Sequence, residues 1–158
     1  MMKRLDQRIT LSLLICALVL SSFSCAKKQD ESTTITAIDT LANQKMTIKI
    51  NSQTFTATLL DNNTAKAFRQ MLPMTIHMTE LNGNEKYFDL PSSLPIRTVK
   101  PGSIKNGDIM LYGSKTLVLF YKNFQTSYDY TKIGAIDNIE NYTAALGTGN
   151  VTVVFEAR

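Results

Sequence analysis

Residues 107–121, GDIMLYGSKTLVLFY, constrain the fold of this chain more than any other stretch. Two apolar runs flank Gly113-Ser114-Lys115, which reads as a turn, so 109–112 and 116–121 are expected to be paired strands. In the second run Leu117, Leu119 and Tyr121 point one way, and Val118 and Phe120 the other. A strand with apolar side chains on both faces is covered on both sides, which makes this pair central to a sheet.

The surrounding sequence keeps the same period. Met46, Ile48 and Ile50 alternate with Thr47 and Lys49. After Asn51-Ser52, Phe55, Ala57 and Leu59 alternate with Thr54, Thr56 and Thr58, which completes a hairpin. Asp61, Asn62 and Asn63 offer cap chemistry for a short helix over 64–72 that carries Ala65, Phe68 and Leu72 on one stripe and stops at Pro73. A strand over 73–81 follows, with Met74, Ile76 and Met78 inward and Thr75, His77 and Thr79 outward. Asn82-Gly83-Asn84 turns it into an answering strand over 86–90. Residues 91–106 hold three of the four prolines and read as a long loop or short edge strands, and 123–132 as an aromatic, polar loop. A strand over 133–136, a short helix over 141–146 and a last strand with Val151, Val153 and Phe155 inward complete the domain. Many short strands without a βαβ rhythm predict a mainly β fold: a closed or nearly closed antiparallel barrel with two short helices over residues 44–158.

The N-terminus follows a different logic. Lys3, Arg4 and Arg8 precede the apolar run 11–20, and Ser21, Ser22 and Ser24 lead to Cys25. This is the pattern of a secretory signal over 1–24, and the apolar run is about half the roughly 20 residues a spanning helix needs. The placement of Cys25 resembles a bacterial lipoprotein signal, which implies lipidation at Cys25, a polar tether over 25–43 and an exported domain held to a membrane of the bacterial cell envelope, on its periplasmic or outer-membrane face. A weak extra strand over 35–38 is also expected. Cys16 is the other cysteine, so the domain has none, and thiol catalysis, zinc–thiolate sites and disulfides are excluded within it. The signal carries half of the +4 net charge and the remaining Lys and Arg are scattered, which argues against a nucleic-acid partner.

A family resemblance rests on the domain. LVLFY (117–121), KIGAID (132–137) and VTVVFE (151–156) resemble the later strands of cyclophilins. The runs 54–91 and 107–137 resemble small bacterial cyclophilin-like domains, and the resemblance covers 46–156. It implies a cyclophilin-like barrel. The isomerase face is where the chain departs: there is no Phe-His-Arg, and Leu119-Phe120-Tyr121 stand where a Gln-Phe-Phe is expected. Arg69 and Arg97 lie outside such a motif.

The chemistry-bearing residues are sparse. His77 is the only histidine, so no metal pair or Ser-His arrangement forms around it, and neither metal nor cofactor is expected. Glu80, Glu85, Asp89 and Asp108 follow no spacing that asks for paired carboxylates. The unusual feature is aromatic: all six tyrosines fall between Tyr87 and Tyr142. Tyr121, Phe124, Tyr128 and Tyr130 are candidates for a ligand groove, with Arg97 and His77 as polar candidates. The expected function is non-catalytic binding of a peptide or small-molecule ligand at the envelope. A divergent prolyl isomerase and a structural subunit of an envelope complex are the alternatives.

Overall fold

The computed structural model describes residues 44–158. The expected signal, Cys25, the tether and the strand over 35–38 lie outside the described residues. Among these residues the order is β1 (Lys45–Ile50), β2 (Gln53–Leu59), α1 (Asn63–Arg69), β3 (Met74–Leu81), β4 (Glu85–Asp89), β5 (Ser103–Ile104), β6 (Asp108–Tyr112), β7 (Thr116–Phe120), β8 (Phe124–Gln125), β9 (Tyr130–Ile136), α2 (Tyr142–Leu146) and β10 (Val151–Ala157). Eight strands close into a barrel in the order β1-β10-β3-β4-β7-β6-β9-β2, and β5 pairs with β8 as a separate ribbon. The barrel pairs are antiparallel throughout. The expected mainly β closed barrel with two short helices is therefore the observed fold.

Period-2 alternation fills the interior. Met46, Ile48 and Ile50 of β1, Phe55 and Ala57 of β2, Met78 of β3, Leu117 and Leu119 of β7, and Val153 and Phe155 of β10 are buried together. The helices close opposite ends. At one end α1 starts where the Asn62 side chain accepts from the Ala65 N–H at 2.8 Å. It then sends Phe68 against Phe155 at 5.8 Å, edge to face. Arg69 donates to the carbonyls of Lys45 and Arg158 there. At the other end Asn51 donates to the Ala145 carbonyl, and Tyr142 is fully buried edge-on to Phe55 at 5.4 Å.

Gly134 marks the seam between β2 and β9. A Cβ there would fall on the Thr58 carbonyl oxygen, so the close approach of the two strands requires glycine.

β7 has the two-sided burial its sequence implies. Leu117 and Leu119, with Tyr121 just past the strand's end, join the interior core, while Val118 and Phe120 join a second cluster outside the barrel with Ile104, Met110 and Tyr130. The β5–β8 ribbon packs on that outer cluster through Ile104 and Phe124.

Three boundaries differ from the expectation. The helix expected over 64–72 ends at Arg69: Met71 and Leu72 bond three residues back instead of four, and the residue before Pro73 is kept out of helical geometry. The expected loop 123–132 contains β8 and the first three residues of β9. Thr131 and Lys132 look like loop residues, yet Thr131 accepts from the Arg97 N–H and Lys132 pairs with Asp108, both distant in sequence. The 91–106 segment holds β5, and Val99 bridges to Tyr130 through two backbone hydrogen bonds of 2.9 and 3.0 Å.

Candidate functional site

The outer surface of β7, β6 and β9, with β8 of the ribbon, carries a continuous run of rings. Phe124 lies 5.5 Å from Phe120, Phe120 5.5 Å from Tyr130, Tyr130 5.6 Å from Tyr112, and Tyr112 6.1 Å from Tyr128. The contacts are edge-to-face or tilted, the arrangement ring quadrupoles favour. Exposure rises along the run: Phe120 is buried, Tyr130 nearly so, Tyr112 is 47% exposed and Tyr128 63%. The run thus starts as packing under the ribbon and ends as an open apolar surface flanked by exposed Val99. Burial, then the charge of Glu85, pushes the Tyr130 hydroxyl up to about 12, so it stays protonated and able to donate.

A cavity of about 180 Å³ opens beside Tyr130, between the 99–105 segment and the barrel wall. Val99, Pro101, Met110 and Tyr130 form its apolar lining, and Lys105, Asp108 and Lys132 its charged one. The β6–β9 pairing places the last two: Asp108 and Met110 point outward from β6, and Lys132 sits opposite Met110 after a register shift between Ile109 and Met110. Asp108 is buried, accepting from Lys132 Nζ at 2.6 Å and from the Lys105 N–H at 2.9 Å. A larger groove of about 750 Å³ runs past Lys45, Thr54, Phe55, Thr56, Asp137, Glu140 and Arg158, but its lining is largely polar, with charges of both signs.

A second constellation lies inside the barrel end beneath α2. The Lys86 side chain is wholly buried, and its ammonium donates to the Glu80 carboxylate, to the Gly147 carbonyl at 2.9 Å and to the Gly149 carbonyl at 2.7 Å. Each of the three donors has an acceptor. The same ammonium lies 5.1 Å from the centroid of the Tyr121 ring, and the Tyr121 hydroxyl donates to Glu80 at 2.7 Å. Burial alone would raise the Glu80 carboxyl. Hydrogen bonds from Lys86, Tyr121 and the Gly83 N–H outweigh it and hold the group below its usual value. Burial, then the bond and charge of Glu80, raises the Tyr121 hydroxyl.

The six groove candidates are therefore divided. Phe124 and Tyr130 belong to the outer run directly, and Tyr128 ends it. Tyr121 points into the barrel, where the cation over its ring is Lys86 rather than an arginine. Arg97 is exposed, and its backbone N–H donates to Thr131 beside Tyr130. His77 sits on β3, three strands from β6 and four from β9 around the barrel, exposed and 3.2 Å from the Thr152 hydroxyl. Lys86, Glu80, Asp108 and Lys132 were not legible as site residues. One signal existed for the first pair: counted outward from the Asn82-Gly83-Asn84 turn, Glu80 and Lys86 fall opposite each other. Among the described residues no group of three or more His, Cys, Asp or Glu side chains converges as a metal site would need. Nor is any helix there long and apolar enough to cross a membrane.

No curated protein matches the chain. Among solved structures, the solution structure of a hypothetical protein from Archaeoglobus fulgidus is similar, with a TM-score of 0.51 at 18% identity, over 74% of this chain and 96% of that one. At that identity the likeness concerns the fold. The family model described as the cyclophilin-like family matches residues 48–156, nearly the whole barrel. The chain belongs to the cyclophilin-like family.

Proposed function

We propose that the domain is a binding module without chemistry of its own, and that the tyrosine run on the outer face of β6 and β9 takes an extended apolar or aromatic peptide segment. The observation that carries this reading is the graded exposure of the run, from nearly buried Tyr130 through Tyr112 to Tyr128 at 63%. A purely structural cluster would bury its last rings. Here a rigid, packed base holds two rings in solvent, where each offers a flat apolar face and a wet hydroxyl. Rings already fixed by their neighbours lose little freedom on binding, which favours affinity. In this reading the module works at the cell envelope, tethered through a lipid on Cys25.

Titration calorimetry with the tetrapeptide acetyl-Ala-Ala-Pro-Phe tests the reading. Saturable binding by the protein, weakened about tenfold in Tyr128→Ala, supports it. Equal binding by both, or none by either, removes the tyrosine run as the site.

A further inference from the structure

We propose that the cavity beside Tyr130 reads a carboxylate, and that the ligand on the tyrosine run is the C-terminal end of a peptide whose last residue is apolar. This rests on the binding reading above and names the ligand class for the same face.

The charge balance of the cavity points to an anion. Two lysines and one carboxylate line it, and the carboxylate is already committed. One Asp108 oxygen is held by Lys132 and the other by the Lys105 backbone N–H, with the side chain 5% exposed. Lys132 uses one of its three donors on Asp108 and keeps 40% of its side chain exposed. Lys105 is exposed, and its ammonium has no carboxylate partner among the described residues. One positive charge at the mouth is left to be met from outside.

The size and walls give the rest of the ligand. A cavity of about 180 Å³ is close to the roughly 150 Å³ that accommodates a benzene ring, so one side chain of that scale fills it. Val99, Met110 and Tyr130 supply an apolar lining for that side chain. From the cavity the run continues outward in ring-to-ring steps of 5.6 and 6.1 Å. That is a reach of up to about three extended residues, more than a small carboxylic acid covers. A chain end that places its final side chain in the cavity, its carboxylate at Lys105 and its preceding residues over Tyr112 and Tyr128 uses every part of this surface.

The test compares acetyl-Ala-Ala-Pro-Phe ending in a free carboxylate with the same peptide ending in an amide, by calorimetry and by ¹⁵N amide shifts of the protein. The acid is expected to bind at least tenfold tighter at low salt, and the gap to narrow as salt rises. Lys105→Gln is expected to bring the acid down to the affinity of the amide. Lys105 is the better probe because replacing Lys132 would strip buried Asp108 of its partner. Equal affinity of acid and amide, with shifts at Tyr112, Tyr128 and Tyr130, overturns the carboxylate subsite and leaves the peptide groove standing. No shifts at those residues with either peptide overturns both. A third arm uses 3-phenylpropanoate: if it binds as tightly as the peptide acid, the ligand is a small carboxylate and the assignment to a peptide end falls.

Discussion

Lys86 and Glu80 face each other across the β3–β4 hairpin inside the barrel, joined by a direct ion pair with the lysine side chain entirely out of solvent. The two Gly carbonyls that complete the shell of Lys86 belong to the turn between α2 and β10, so the pair also ties that turn to the barrel wall. Tyr121 closes the arrangement from just past the end of β7, with its ring near the cation and its hydroxyl on the carboxylate. The internal network and the outer tyrosine run are thus rooted in neighbouring positions: Phe120 faces out and Tyr121 faces in.

Removing one partner of this pair should be worse than removing both. Lys86→Met leaves the Glu80 charge without its counter-ion and is expected to cost about 3–5 kcal/mol in urea unfolding. Lys86→Met with Glu80→Gln should recover part of that loss, giving a coupling well outside additivity. Tyr121→Phe removes one hydrogen bond to the carboxylate and should cost about 1.5–3 kcal/mol.

The same carboxylate sets an acid limb. Glu80 is held below its usual 4.5, so the unfolded chain takes up its proton first as pH falls. Its contribution to stability is present above pH 4.5 and lost below it, down through the folded value. Glu85 runs the other way: burial, then the charge of Glu80, raises it, so its protonation favours the folded state and the benefit fades as pH rises through the raised value. Urea midpoints below pH 4.5 should fall for the wild type, and Glu80→Gln, less stable at neutral pH, should flatten that slope. An unchanged slope would mean that Glu80 is not the group responsible.

Much of this architecture is legible in the sequence. The alternation of Leu117, Leu119 and Tyr121 with Val118 and Phe120 foretold a strand buried on both faces, and the strand rhythm foretold a closed barrel. The same alternation already placed Tyr121 on the interior set, in conflict with its place among groove candidates. The pairing of Lys132 with Asp108 could not be read locally, because it depends on a register shift at Ile109/Met110 and spans distant strands. A buried lysine is equally hidden, since lysine in a strand reads as a solvent-facing position until its partners are known. The β5–β8 ribbon is two residues per strand, too short for any period to show.

Gly134→Ala should destabilise the β2–β9 seam. The added Cβ meets the backbone of Thr58 and Leu59, which cannot rotate away as a side chain would. A loss of about 1–3 kcal/mol in thermal or urea unfolding is expected. Gly113→Ala has open space at its Cβ, so its loss comes from positive φ alone and should be smaller, about 1 kcal/mol.

Cys25→Ser tests the proposed tether. The wild-type protein, expressed in a bacterium and submitted to detergent phase separation, should enter the detergent phase and take up labelled fatty acid. The variant should do neither. Equal labelling of both would place no lipid on Cys25.

The most direct test of the account is to map peptide-induced ¹⁵N amide shifts over the whole domain during titration with acetyl-Ala-Ala-Pro-Phe. Saturable shifts confined to Val99, Tyr112, Tyr128, Tyr130 and their β6 and β9 neighbours are expected, with the β1–β10–β3 side unchanged. Shifts centred on His77 and Thr152, or on the polar groove by Asp137 and Arg158, would contradict it and move the binding face off the tyrosine run.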